Sequence, residues 1–179
     1  MKHLIAYLIL ITSCGCCSSE FMSGENLTLP KKEYKGTELR IDGYYYCEYI
    51  GFGSNDIYVR TYFFYENGIV QYGGATKKTE LANLEAQFMT MEWQMSNRKY
   101  KHRWGLFNID GDKIIFERWY PNSPGQPKVY VNEGKIVNET TFHITAFYRP
   151  DGSERIEQDE TYHFKQFSPK PDSTNVFIK

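Results

Sequence analysis

Ile57-Tyr58-Val59-Arg60-Thr61-Tyr62-Phe63-Phe64-Tyr65, then Glu66-Asn67-Gly68, then Ile69-Val70-Gln71-Tyr72 is the stretch whose reading decides the fold class. Aromatic and β-branched residues crowd both runs, as suits a pleated, half-buried surface. Asn-Gly between two such runs is a strong hairpin signal, because a type I′ turn needs positive φ at both central residues. That turn predicts Tyr65 opposite Val70 and Phe63 opposite Tyr72, an apolar ladder across the pair.

The same pattern extends both ways. Upstream, Leu39 to Ile50 holds Ile41, Tyr44, Tyr45, Tyr46 and Tyr49, and Gly51, Gly53, Asn55 and Asp56 separate it from Ile57. Downstream, Gly73-Gly74 ends the strand signal and the apolar period changes from two to 3.6. Leu81, Leu84, Phe88, Met91 and Met95 form one stripe, predicting a single amphipathic helix over about 79–95 with Thr79 as N-cap. Strands resume at Tyr100–Ile109 and Lys113–Trp119 around Asp110-Gly111. Pro121 to Pro127 reads as a loop, and Glu133-Gly134 as the turn of a short hairpin between Lys128–Val131 and Lys135–Val137. Phe142, Ile144, Ala146 and Tyr148 alternate on one face, as do Tyr162 and Phe164 on the partner strand, with Gly152 left-handed between them.

Eight or nine strands in sequence, all joined by hairpins, make an antiparallel meander. A meander of that length tends to close, because closure removes aggregation-prone edges. The expected architecture is mainly β, a closed barrel with one helix; the alternative is an open curved sheet packed on that helix. With 41% hydrophobic, 24% charged and 17% aromatic residues, the composition is that of a globular domain rich in rings. A formal charge of −1 is neither a nucleic-acid footprint nor an acidic tail.

Gly43-Tyr44-Tyr45 on the first strand, the meander, and Trp104-Gly105-Leu106-Phe107 on a central strand resemble lipocalin-like barrels of small exported bacterial lipoproteins. The resemblance implies an interior that takes a small apolar or aromatic ligand, with Tyr45, Trp104, Trp119 and Glu160 as candidate ligand-binding residues. The N-terminus fits the same picture. Lys2 and His3 precede the apolar run Leu4–Ile11, which is a secretory-signal pattern. Ile11-Thr12-Ser13-Cys14 resembles a lipobox, which implies cleavage before Cys14 and a diacylglycerol on its thiol. The expected organisation is signal peptide 1–13, lipidated cysteine and flexible tether 14–36, β domain 37–168 and loose tail 169–179. Gly15, where retained inner-membrane lipoproteins carry aspartate, points to the outer membrane.

Candidate chemistry is sparse. His143 and His163 fall diagonally on the two arms of the last hairpin, with Cys47 on a strand that closure would bring near; exposed histidines and a packed thiol are the plainer reading, and no metal is assigned. Arg98-Lys99-Tyr100-Lys101-His102-Arg103-Trp104 is a basic cluster that reads as a solvated strand start. Glu117 and Arg118 are adjacent in a strand, so one of them points inward and needs a partner. Gln158 and Glu160 share the parity of Tyr162, so they line a cavity or overhang the core. The sequence holds no Gly-x-Ser-x-Gly, His-Glu-x-x-His or phosphate-binding glycine loop, so no catalytic residue and no cofactor is assigned. The expectation is a membrane-anchored binding protein without nucleic-acid partners. A structural or partner-binding lipoprotein with a filled core, and a hydrolase built from sequence-distant residues, are the alternatives.

Overall fold

A computed structural model describes residues 24–122 and 126–179. The expected signal peptide, Cys14, Cys16 and Cys17 lie outside the described residues. The strands are β1 Gly43–Ile50, β2 Ile57–Phe64, β3 Ile69–Lys77, β4 Trp104–Asp110, β5 Lys113–Tyr120, β6 Lys128–Asn138, β7 Thr141–Tyr148 and β8 Ile156–Gln166. They pair in sequence order, all antiparallel, and β8 returns to β1, so the barrel is closed. Closure excludes the open-sheet alternative. Among the described residues, no helix is long and apolar enough to cross a membrane.

Two hairpin readings change in detail. The turn at Asn67-Gly68 carries three residues: Gly68 N–H donates to Tyr65 O and Tyr65 N–H donates to Ile69 O. Only Gly68 there has positive φ, at 78°, as in a type I turn closed by a glycine bulge. The register therefore slips by one, so that Phe64 faces Val70 and Tyr62 faces Tyr72. Glu133-Gly134 is no turn at all. It is an irregularity inside the continuous strand β6, opposite β7. A Cβ on Gly134 would sit 2.1 Å from the His143 carbonyl, so glycine serves close strand approach there.

The single predicted helix is two: α1 Leu81–Phe88 and α2 Met91–Asn97. Thr90 is extended, and its Oγ1 accepts the Trp93 N–H, so a cap stands in the middle of the apolar stripe. Thr79 lies in a 3₁₀ turn, Lys78–Glu80, and caps nothing. The break turns Trp93 onto Phe88, ring centroids 5.0 Å apart, and leaves Met91 and Met95 exposed.

Both faces of the sheet are apolar because each meets a different layer. Inside, Tyr45, Phe64, Phe107, Phe116, Phe142 and Tyr162 fill one end of the barrel. Tyr34 plugs that end: its hydroxyl accepts the Leu39 N–H at 2.7 Å and donates to the Leu39 carbonyl. Outside, Tyr44, Phe63, Trp104, Trp119 and Val129 lie beneath α1, α2 and the two chain ends. Each buried ring contributes roughly 1.5–3 kcal/mol through removal from water.

Both ends of the described residues are docked on the barrel, where a flexible tether and a loose tail were expected. Glu25 pairs with Arg149 and accepts the Val129 N–H. The Glu117 carboxylate takes the N–H groups of Thr28 and Leu29, both at 2.7 Å. Residues 24–34 thus form a strap along the outer wall. At the other terminus Lys170 donates to the carbonyls of Ile41 and Phe64, Arg98 pairs with Asp172, and Phe177 meets Trp119. Polar composition misled here because backbone amides, rather than side chains, make many of the strap's anchoring bonds.

Candidate functional site: the open mouth of the barrel

The end opposite Tyr34 is not filled. Here β1, β5 and β7 finish and β2, β6 and β8 begin, and a cavity of about 330 Å³ opens between their inward side chains. Tyr49, Tyr72, Tyr120 and Phe147 supply aromatic walls, and Arg60, Arg118, Asn132, Gln158 and Glu160 supply polar groups. Strand alternation puts them there. Arg60 lies one inward step from Tyr62, Arg118 one from Phe116, and Glu160 one from Tyr162.

Arg60 and Glu160, on the two strands that flank β1, form an ion pair. Arg60 Nη1 reaches both carboxylate oxygens at 2.9 Å, and Tyr162 Oη donates to Glu160 Oε2 at 2.8 Å. Burial, followed by the charges of Tyr62 and Glu160 nearby, drives the Tyr162 hydroxyl far above its ordinary pKa, so it stays a donor. Asn132 Nδ2 donates to Tyr120 Oη at 3.0 Å, which fixes that ring over the cavity.

Arg118 is the second inward cation, only 5% exposed. Its guanidinium carbon lies 3.7 Å from the centroid of the Tyr120 ring and 4.5 Å from that of Tyr72. Nη1 donates to the His102 carbonyl at 2.7 Å and to that of Trp119 at 3.2 Å. Glu117, its sequence neighbour, points out to the strap.

The later part of the basic run, Lys101 to Trp104, is folded against this spot, while Lys99 and Tyr100 stay exposed to solvent. Arg103 Nη1 donates to the Tyr72 carbonyl at 3.4 Å, and its guanidinium lies 5.2 Å from the Tyr72 ring, so Tyr72 is contacted by two arginines. Lys101 Nζ lies over the Trp119 ring at 4.5 Å. Burial, with Arg103 and Arg118 adding to it, holds the His102 imidazole below its ordinary pKa and so neutral at pH 7.

The four candidate ligand residues separate. Glu160 lines the cavity. Tyr45 is interior but belongs to the filled end, where Tyr45 Oη donates to the carbonyls of Arg40 and Glu139. Trp104 and Trp119 point away from the barrel interior. Trp104 Nε1 donates to Asn97 O at 3.0 Å, and Trp119 Nε1 to Glu25 O at 2.6 Å. Sequence reasoning missed Arg60, the partner of Glu160, and also Tyr49, Tyr72, Tyr120, Asn132 and Phe147. The inward parity of Phe116 would have found Tyr120 once the face of β5 was known.

The histidines do not meet Cys47 in a metal site. His143 Nδ1 lies 3.0 Å from Thr161 Oγ1, and His143 Nε2 is 3.5 Å from Asp159. Among the described residues, no three His, Cys, Asp or Glu side chains are placed to hold a metal ion. A second cavity, about 700 Å³, lies outside the barrel between α1, α2 and β3, lined by Leu84, Glu92, Trp93, Asn97, Tyr100 and Arg103 among others. It is a shelf under the helices, whereas the mouth holds the almost wholly enclosed Arg118. The chain matches no protein-family model, no curated protein and no solved structure.

Proposed function

We propose that this chain is an exported, lipid-anchored binding protein whose barrel holds a small molecule at its mouth. The observation that carries the reading is the contrast between the two ends of the interior. One end is filled by rings and plugged by Tyr34; the other keeps a cavity of about 330 Å³ lined by four aromatic and five polar or charged side chains. Concave sites that combine apolar walls with placed polar groups are the usual form of a small-molecule site. The lipobox-like run before Cys14 supports export and acylation. Gly24 lies by Pro127 at the mouth end, so ten extended residues from Cys14 would hold that end within about 35 Å of the bilayer.

Mass spectrometry of the mature chain, taken from its own membranes in mild detergent, reads both halves of the proposal. Under denaturing conditions a diacylglyceryl mass on the Cys14 peptide is expected, absent in Cys14→Ala. Under native conditions a retained small molecule is expected. An unacylated N-terminus removes the anchor, and a native mass equal to the acylated chain through repeated gentle preparations removes the ligand.

A second reading, a partner-binding envelope protein, draws on the tip of the β1–β2 hairpin. Phe52 is wholly exposed there, beside exposed Ile50 and Ile57. Lone exposed apolar groups are common, so this reading ranks below the cavity.

A further inference from the structure

Resting on the reading of the mouth as a ligand site, we infer that its ligand is an anion: a small molecule whose carboxylate, sulfonate or phosphate sits against Arg118. A guanidinium taken out of water is costly unless an anion or a full set of acceptors meets it. Arg118 is almost wholly enclosed, yet its acceptors are all neutral: two carbonyls bound by Nη1 and the Tyr62 hydroxyl. Its Nε is buried without an acceptor. Three tyrosine rings face the guanidinium, those of Tyr120, Tyr72 and Tyr62, and they offer π faces without formal charge.

No carboxylate among the described residues is available to neutralise it. Glu160 shares the cavity, but both its oxygens are held by Arg60, and Tyr162 adds a hydrogen bond to one of them. Glu117 is on the other face of the sheet, its oxygens given to the strap. The mouth therefore carries two arginines against one glutamate, and Arg103, behind Tyr72, adds a third cation. An oxyanion entering the cavity supplies what the site lacks, and arginine is suited to planar oxyanions through its fork of donors. Tyr120 and Phe147 meet edge to face, with ring centroids 5.1 Å apart, and together form one aromatic wall of the cavity.

A purely structural Arg118, placed only to tie the carbonyls of His102 and Trp119, would be indifferent to ligand charge. The test is calorimetry on the full mature chain in detergent, with 2-naphthoate and 2-naphthamide as probes of equal shape and different charge. Wild type is expected to bind the naphthoate at least roughly tenfold tighter, the factor one charge-assisted hydrogen bond supports. Arg118→Met is expected to abolish that preference while still binding the amide. Arg118→Lys keeps the charge without the fork and is expected to retain part of the preference, which keeps the test readable if the methionine variant does not fold. Equal binding of both probes by wild type overturns the inference and leaves the ligand-site reading standing. A preference unchanged in Arg118→Lys and Arg118→Met also overturns it. Binding of neither probe overturns the ligand-site reading itself, and the inference with it.

Discussion

The Glu117 carboxylate accepts the backbone N–H of Leu29 at 2.7 Å, joining residues 88 apart in the chain. One residue further along β5, Arg118 points through the opposite face into the barrel. Period-two alternation thus gives one dipeptide two jobs: it clasps the strap outside and sets a cation in the mouth inside. Adjacent charges of opposite sign would pair in a flexible chain, but in a strand they are turned to opposite faces.

Glu117→Ala is expected to free the strap. Hydrogen bonds to a charged group are worth about 1.5–3 kcal/mol each, less what water restores to the released amides. A loss of about 2–3 kcal/mol in urea unfolding is expected, together with faster hydrogen exchange at Thr28 and Leu29. Unchanged exchange at those two amides would show that the strap is held by its leucines instead.

Trp104→Ala is expected to cost stability without touching the mouth. The indole is fully buried against the outer layer, and truncation of such a side chain costs about 3–5 kcal/mol. The preference for naphthoate over naphthamide is expected to survive in the folded fraction. Loss of that preference at full stability would place Trp104 in the binding site after all.

Lys170 gives a pH dependence. Burial pulls its ammonium from the ordinary 10.5 down to about 8, against the opposing charge of Asp42. Between those values the unfolded chain binds the extra proton, so stability rises as pH goes from about 8 towards 10. Above 10 the trend reverses. Burial raises Tyr44 and Tyr45, so unfolded tyrosines lose protons that folded ones keep. Thermal unfolding across this range is expected to show the rise, and Lys170→Met to flatten it.

Cys47 is expected to resist alkylation in the native state. It is 4% exposed, and burial, with Glu160 adding to it, pushes its thiol up to about 11, so little thiolate exists at neutral pH. Iodoacetamide followed by peptide mapping is expected to label it only in denaturant. Rapid native labelling would mean that β1 and β8, which pair only from Gly43 to Tyr46, part at that seam.

The β-rich runs around Asn67-Gly68, Asp110-Gly111 and Pro150-Asp151-Gly152 placed six of the eight strands as hairpin arms, and their order made closure the expected outcome. Less was legible at Glu133-Gly134, where glycine allows close approach to His143 and only looks like a turn. The same holds at Thr90, whose capping role is hidden inside an apolar stripe that counts as continuous. In both cases the local residue type has two uses, and the neighbouring strand or helix selects one.

The mouth was legible in parity and illegible in direction. Sequence alone determined that Glu117 and Arg118 face opposite ways, that Gln158 and Glu160 share a face with Tyr162, and that rings line both sides of the sheet. Which face is inside was decided by tertiary structure alone. Helices, strap and tail cover the outer wall, so Trp104 and Trp119 are as buried outside the barrel as Phe64 is within it. Apolar patterning marks a face that leaves water, and it cannot tell which layer removes it; that depends on contacts made across long stretches of chain.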